Sequence, residues 1–278
     1  MKKVIHSFIV PCLIPMLIFL IWSVLSPMID NNMILPPPHR VYAIISDPFS
    51  PLIAMGSLFQ NFIISFIRVG VAYIISGSCG IILGIAIGYS YRMDRLFSGF
   101  LEIFRPLPPM AWVPLMLAWT GILSLANVLH VSGGPLYPYI DRIKISMLFI
   151  IFIGGFFPVL TSTIRGVRST PKTFIDAARV LGAKEQDIFF KVLLPSAAPG
   201  IVNGLRISLA LSWSCLIAAE MLPGSVSGVG YLIIHAYNMA RIDVVISGMI
   251  CIGATGALMD WLFHQWEERC FAWARRVR

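Results

Sequence analysis

Among the charged side chains within or at the rim of the long apolar stretches of this 278-residue sequence, which also hold Arg68 and Asp260, three could do chemistry: Arg105, Arg206 and Glu220. A charge at the centre of a bilayer costs about 2.5–3.5 kcal/mol on insertion scales, so such a residue faces protein or water and takes a partner. Arg105 has Glu102 at i−3, and a continuous helix would let the two pair directly. Arg206 lies near one end of its apolar run, where a long side chain can snorkel to the interface. Glu220 lies near the other end, suited to pairing between helices or to a gate. Other chemistry finds no constellation. His6, His39, His130, His235 and His264 are scattered without HExxH or another ligand spacing, so no metal is assigned. There is no GxxxxGK[ST] to cradle a nucleotide and no GxSxG to raise a nucleophile. Cysteines at 12, 79, 215, 251 and 270 form no CxxC pair, and those within apolar runs read as small hydrophobes. The chain is expected to bind no cofactor and to catalyse no reaction of its own.

A second cluster is conformational rather than catalytic. Pro106, Pro108, Pro109 and Pro114 each remove a backbone donor and break a helical ladder. Irregular backbone at membrane depth is tolerated where protein or a water-filled cavity surrounds it. Residues 106–119 are therefore the expected lining of a pathway. The candidate path residues are Arg105, Pro109, Trp112, Trp119, Trp213 and Glu220, the tryptophans serving equally well as packing or interface anchors.

The elements that must position these residues follow from composition. Hydrophobic residues make up 58% and charged residues 12%, with a mean hydropathy of +0.84. Soluble domains carry about 45–50% apolar and about 25% charged residues. A soluble enzyme, a disordered chain and a disulfide scaffold are excluded, leaving an all-α integral membrane protein. The formal net charge of +8 comes without a basic face interleaved with aromatics, so no nucleic-acid partner is expected.

Six segments approach the roughly 20 residues that a span needs. Lys2 and Lys3 precede the run Phe8 to Ser26, which is 19 residues, holds Pro11 and Pro15, and is too long for a signal-peptide core; it reads as a retained first span. Val69 to Tyr91 is uncharged, with a helix start expected near Phe62. The third span is expected over 98–123, the fourth over Ile145 to Ile164, the fifth over Ile201 to Leu222 and the sixth over Val244 to Phe263. With the N-terminus inside, the inner segments hold Lys/Arg at 2, 3, 92, 95, 165, 168, 172, 179, 184, 191, 269, 275, 276 and 278. The outer segments hold only those at 40, 142, 144 and 241. The positive-inside rule then puts both termini in the cytoplasm.

Residues 1–61 form the first span and an outer segment, in which Leu35-Pro36-Pro37-Pro38 favours an extended polyproline-like stretch. Residues 62–265 form a core of five spans. The second carries Gly80, Gly84 and Gly88, a row extended by Ser76, whose four-residue spacing makes one face for close helix packing. Residues 266–278 are an aromatic and basic tail suited to the anionic inner leaflet or to a topology anchor.

The longest inner connection, 165–200, is patterned. Thr170-Pro171 opens a helix whose Phe174, Ala177, Ala178 and Leu181 share one face, and Gly182 ends it. A second short helix is expected over Lys184 to Leu193, with Ile188, Phe189 and Val192 on its apolar face, closed by Pro195 and Pro199 before the fifth span. Two short amphipathic helices meeting at a glycine elbow form a knob that buries its face against the membrane or in a partner protein.

Asp176-Ala177-Ala178-x3-Gly182-x9-Val192-x-Leu194-Pro195 resembles the signature loop of the membrane subunits of binding-protein-dependent ABC importers. That pattern begins Glu-Ala-Ala, so Asp176 is a departure on a shorter arm, and Val192 stands where the family has Ile. The run Phe104-Arg105-Pro106-Leu107-Pro108-Pro109-Met110-Ala111-Trp112-Val113-Pro114-Leu115 is similar to the third-span segment of permeases for taurine, alkanesulfonates and nitrate, as are Leu205-Arg206-Ile207 and Trp213-Ser214-x4-Ala219-Glu220. Residues 124–144 make a longer outer connection than taurine permeases lead one to expect.

The resemblance implies a type I importer permease fold with a cytoplasmic coupling helix, in a bacterial inner membrane. It implies ATPase-coupling roles for Asp176, Ala177, Ala178, Gly182, Ala183, Phe189, Leu194 and Pro195. The implied partners are a second copy of the chain, two cytoplasmic ATPase subunits carrying ATP and Mg, membrane lipid, and a periplasmic or lipid-anchored binding protein that delivers a small anion. Two rivals stand beside it. An ion-coupled secondary transporter needs midplane ionisable residues and two related halves, whereas these span centres are nearly charge-free and no internal repeat is visible. A membrane-embedded enzyme needs clustered polar residues within the spans, and none is seen.

Overall fold

The computed structural model describes residues 2–29, 31–52, 56–121, 123–130, 133–134 and 137–270. Among these the regular elements are helical, apart from isolated bridges joining Pro51 to Ser57 and Ser124 to Lys144. In chain order the helices are α1 (Lys2–Ile29), α2 (Pro38–Ser46), α3 (Leu58–Tyr89), α4 (Tyr91–Phe104), a 3-10 turn (Pro109–Trp112), α5 (Val113–Thr120), α6 (Leu125–Val128), α7 (Tyr137–Asp141), α8 (Ile145–Arg168), α9 (Lys172–Val180) and α10 (Glu185–Ile188). A π-turn (Phe189–Leu193) then leads into α11 (Leu194–Glu220), followed by α12 (Val229–Asn238) and α13 (Ile242–Cys270).

Among the described residues four continuous helices are long and apolar enough to cross a membrane: Leu58–Tyr89, Ile145–Arg168, Glu185–Glu220 and Ile242–Cys270. They contain the expected second, fourth, fifth and sixth spans. α1 covers the first, and its outer end is tied to the proline run: Trp22 Nε1 donates to the Pro36 carbonyl at 2.9 Å and Ser26 Oγ to that of Leu35 at 3.0 Å. Pro37 is extended at φ −68°, ψ 146°, and Pro38 opens α2, where its fixed φ suits a first turn. The second span starts earlier than Phe62, because Ser57 and Gln60 form a capping box that fixes the first turn at Leu58.

The third span departs most from expectation. Instead of one helix over 98–123 there is an amphipathic α4, an irregular stretch at Pro106–Pro108, the 3-10 turn and the short α5. Pro106, Pro108 and Pro109 have no N–H to continue the ladder, and Leu107 between them donates instead to the Phe104 carbonyl at 3.2 Å.

Helix α8 lies between α3 and α11 and packs closely on both. The Gly80, Gly84 and Gly88 row faces α8 in register: a Cβ added at these positions would sit 2.9, 2.6 and 2.8 Å from the Cβ atoms of Val159, Thr163 and Val167. Ser76 continues the seam, its hydroxyl next to the Cα hydrogen position of Gly155. On the other side Gly204 admits Ser162, and Gly166 meets Gly200 backbone to backbone. These contacts let three helices approach without large side chains between them. The apolar core beside them gathers Val69, Ala72, Ile151, Trp213 and Leu216.

Candidate functional site

The loop after α8 folds into the expected elbow. The α9 helix ends in a Schellman motif: Gly182 N–H donates to the Arg179 carbonyl at 2.9 Å and Ala183 N–H to that of Ala178 at 3.0 Å. Gly182 takes φ +81°, the left-handed conformation in which a Cβ is penalised. The second arm departs from expectation. It is not closed before the fifth span: α10, the π-turn and α11 run on as one 36-residue helix. Pro195 sits in the first turn of α11 and Pro199 inside it. The widened π-turn immediately precedes Pro195, which has no N–H to offer an ordinary ladder.

The knob is largely bare in the single chain. Phe174 is 55% exposed, Val180 87% and Leu181 86%. Ala177 and Leu194–Pro195 are at least partly accessible, and Asp176 is exposed, 3.9 Å from Arg179. The inner faces of the elbow are pinned. Arg179 donates to Glu185 Oε1 from Nη2 at 3.0 Å, across the turn. Tyr89, the last residue of α3, donates to Glu185 Oε2 at 3.2 Å and sets its ring edge-on to Phe189, with centroids 5.7 Å apart. The elbow is thus attached to the second span as well as to the fourth and fifth.

The candidate path residues divide. Arg105 caps α4 at its C-terminal end and is exposed, and no ion pair joins it to Glu102 among the described residues. The helix that would have aligned them stops at Phe104, ahead of Pro106. Arg105 and Pro109 instead border a cleft against α8 and α11. Trp112 stacks on Phe104 and meets Phe149 edge-on, while Trp119 is 68% exposed. Trp213 is a core residue, 5% exposed, its ring beside Phe62 and Phe66 and its Nε1 directed to the Ile252 carbonyl at 3.4 Å. It also closes one side of a separate cleft between α11 and α13.

Glu220 is fully buried and does pair between helices. Arg68 of α3 donates from Nη1 to Glu220 Oε1 at 2.7 Å and to the Ser227 carbonyl at 2.7 Å. Its Nη2 reaches the Arg142 carbonyl at 2.6 Å and Ser227 Oγ at 2.9 Å. Ser65 donates to the same carboxylate at 2.8 Å, and Gly230 N–H donates to Oε2 at 3.0 Å. Asn61 accepts from Gly228 N–H at 2.8 Å and Ser65 from Val229 N–H at 3.0 Å. Gly228, at φ +114°, is covered by the Glu220 carboxylate, so no side chain fits there. The network fastens the loop before α12 onto α3 and α11. The sequence places Arg68 within a span without naming its partner and gives no signal for Ser65 or Asn61; the available signal is a base alone in its run and an acid that shares its run with Arg206.

Arg206 does not snorkel free. It forms a two-bond fork with Asp260 of α13, Nε to Oδ1 at 2.7 Å and Nη2 to Oδ2 at 2.9 Å, with Glu267 a further 3.7 Å contact. Of the tail 266–278, residues 271–278 lie outside the described residues. Among the described residues no group of three or more His, Cys, Asp or Glu side chains converges in a way that could hold a metal.

Residues 80–270 match the family described as binding-protein-dependent transport system inner membrane component. A Methanocaldococcus jannaschii protein named as an ABC transporter permease is 40% identical over 95% of this chain and 92% of its own length. The taurine transport system permease of Escherichia coli is 30% identical, covering 92% of this chain and 86% of its own. A nitrate import permease of Synechocystis sp. is 32% identical over 87% and 82% respectively. In three dimensions the chain is similar to a chain of the inward-facing MetNI methionine ABC transporter, with a TM-score of 0.54 and 19% identity over 73% of this chain and 92% of that one, a likeness of fold.

Proposed function

The chain belongs to the binding-protein-dependent transport system inner membrane components, the permease subunits of ABC importers, and from that premise we propose that it carries a small oxyanion, of the sulfonate or nitrate class, across a bacterial-type inner membrane. In this reading two copies pair, each with a cytoplasmic ATPase on its elbow, and a binding protein delivers solute to the outer face. Both termini lie in the cytoplasm, in keeping with the excess of Lys/Arg on that side. Hydrolysis of ATP belongs to the partner subunits. Family membership sets aside the ion-coupled alternative.

The observation that carries the coupling role is the elbow. A helix presenting Phe174, Val180 and Leu181 to solvent has an apolar face that a single chain leaves uncovered. Gly182 fixes its angle, and Tyr89, Arg179 and Glu185 brace it to the spans. Closure of the ATPase pair then moves the elbow as a rigid piece and shifts the populations of inward-open and outward-open states. The relatives named for taurine and nitrate support the anion class. Co-purification with the ATPase, followed by ATP turnover with taurine, nitrate or bicarbonate and the binding protein, tests the reading. Stimulation of turnover by at least one anion is expected. Failure of the ATPase to bind, or contact of the elbow with lipid alone, refutes it.

A further inference from the structure

Arg105 and Arg165 border the same two clefts. One, of about 290 Å³, is also lined by Pro109, Phe157, Thr161 and Ser162. The other, of about 340 Å³, follows α4 past Asp94 and Glu102. The two arginines come from different elements, the end of α4 and the last turn of α8, and both are exposed in the single chain. The Arg165 Nε donates to the Thr161 carbonyl at 3.3 Å. Among the described residues neither guanidinium has a carboxylate within ion-pair distance. Of the acids along the clefts, Asp94 is held by Arg168 at 2.5 Å, and Glu102 lines the second cleft with the two arginines without forming an ion pair to either.

Convergence distinguishes this pair: an arginine at the end of α4 and one in the last turn of α8 border the same two clefts beside Thr161, and neither is ion-paired among the described residues. A planar guanidinium fork matches two oxygens of a planar or tetrahedral oxyanion.

We propose that Arg105 and Arg165 together form an elbow-side binding site for a small oxyanion, with the Thr161 and Ser162 hydroxyls beside them. The site rests on the small-anion reading above. A lipid phosphate offers the same chemistry, and the test separates the two sources.

The test uses the full complex with its ATPase and binding protein in proteoliposomes, with taurine, nitrate and bicarbonate as probes. Arg105→Gln/Arg165→Gln is expected to reduce uptake of the transported anion at least tenfold, and Arg105→Lys/Arg165→Lys to retain at least a third of it. A second measurement places Thr161→Cys in a chain whose native cysteines are replaced, and compares reaction with anionic and cationic methanethiosulfonate reagents. A preference of at least fivefold for the anionic reagent is expected, falling below twofold when both arginines are glutamine. Uptake within twofold of wild type in the double glutamine variant, or an unmodified thiol preference below twofold, overturns the site. The thiol preference decides alone if the glutamine variants do not assemble. Uptake that requires phosphatidylglycerol, with the requirement lost in Arg165→Gln, assigns the cations to lipid and also overturns it. No uptake of any probe by wild type refutes the small-anion reading, and the thiol preference still decides whether an anion site exists.

Discussion

Arg68 and Glu220, 152 residues apart in sequence, meet at 2.7 Å with side chains that are 1% and 0% exposed. Their ion pair is the centre of a network that holds the loop before α12 against α3 and α11.

Removing one partner leaves the other charged and buried, a loss of about 3–5 kcal/mol. Glu220→Gln and Arg68→Gln are each expected to lower the thermal midpoint of the purified complex in detergent. Arg68→Met/Glu220→Met should recover most of that loss, because an apolar pair leaves no uncompensated charge. A double variant as unstable as the singles would show that the pair is not acting as a unit.

Gly182 sits at φ +81° with no atom within 4 Å of where a Cβ would stand. The penalty for Gly182→Ala is therefore backbone strain of about 1 kcal/mol, without a clash. Gly182→Asp adds a charge to a surface meant to be covered. It is expected to leave the chain in the membrane and to abolish solute-stimulated ATP hydrolysis, with Gly182→Ala intermediate. Turnover measured on the reconstituted complex decides, and normal stimulation in the aspartate variant would refute the coupling role.

The α3–α8 seam gives an internally controlled comparison. Gly84→Val forces side-chain atoms onto Thr163 and should destabilise by about 1–3 kcal/mol or more through overpacking. Gly70→Ala, on the same helix with open space around it, should be neutral or stabilising by up to about 1 kcal/mol. Thermal unfolding of the two variants side by side checks the difference.

The Arg206–Asp260 fork is partly exposed, 29% and 51% by side chain. An ion pair in that setting contributes about 0–1 kcal/mol. Asp260→Asn is expected to shift the thermal midpoint by only a degree or two and to leave transport close to wild type. A large loss would mean that α13 bears on the pathway.

The four long helices were legible because bilayer thickness imposes a length, and 20-residue runs without charge leave few alternatives. The elbow was legible because Gly182 must follow a helix whose apolar face repeats at Phe174, Ala177 and Ala178. Partner choice was not. Glu102 and Arg105 look paired at i−3, yet Pro106 ends the helix that would have aligned them. Glu220 gave no hint of Arg68, because that contact exists only after α8 has drawn α3 and α11 together. Pro195 and Pro199 look like a stop, yet a π-turn ahead of Pro195 leads straight into α11, which contains both. α12 was missed because its ten residues are too few to span and lie in what reads as a connection.

With Gly80, Gly84 and Gly88 seated on Val159, Thr163 and Val167, there is no slack between α3 and α8. The two helices must travel as a single spar. Any displacement of α8 is thus shared by α3 along this seam, while Pro158 leaves α8 a point of flexure of its own.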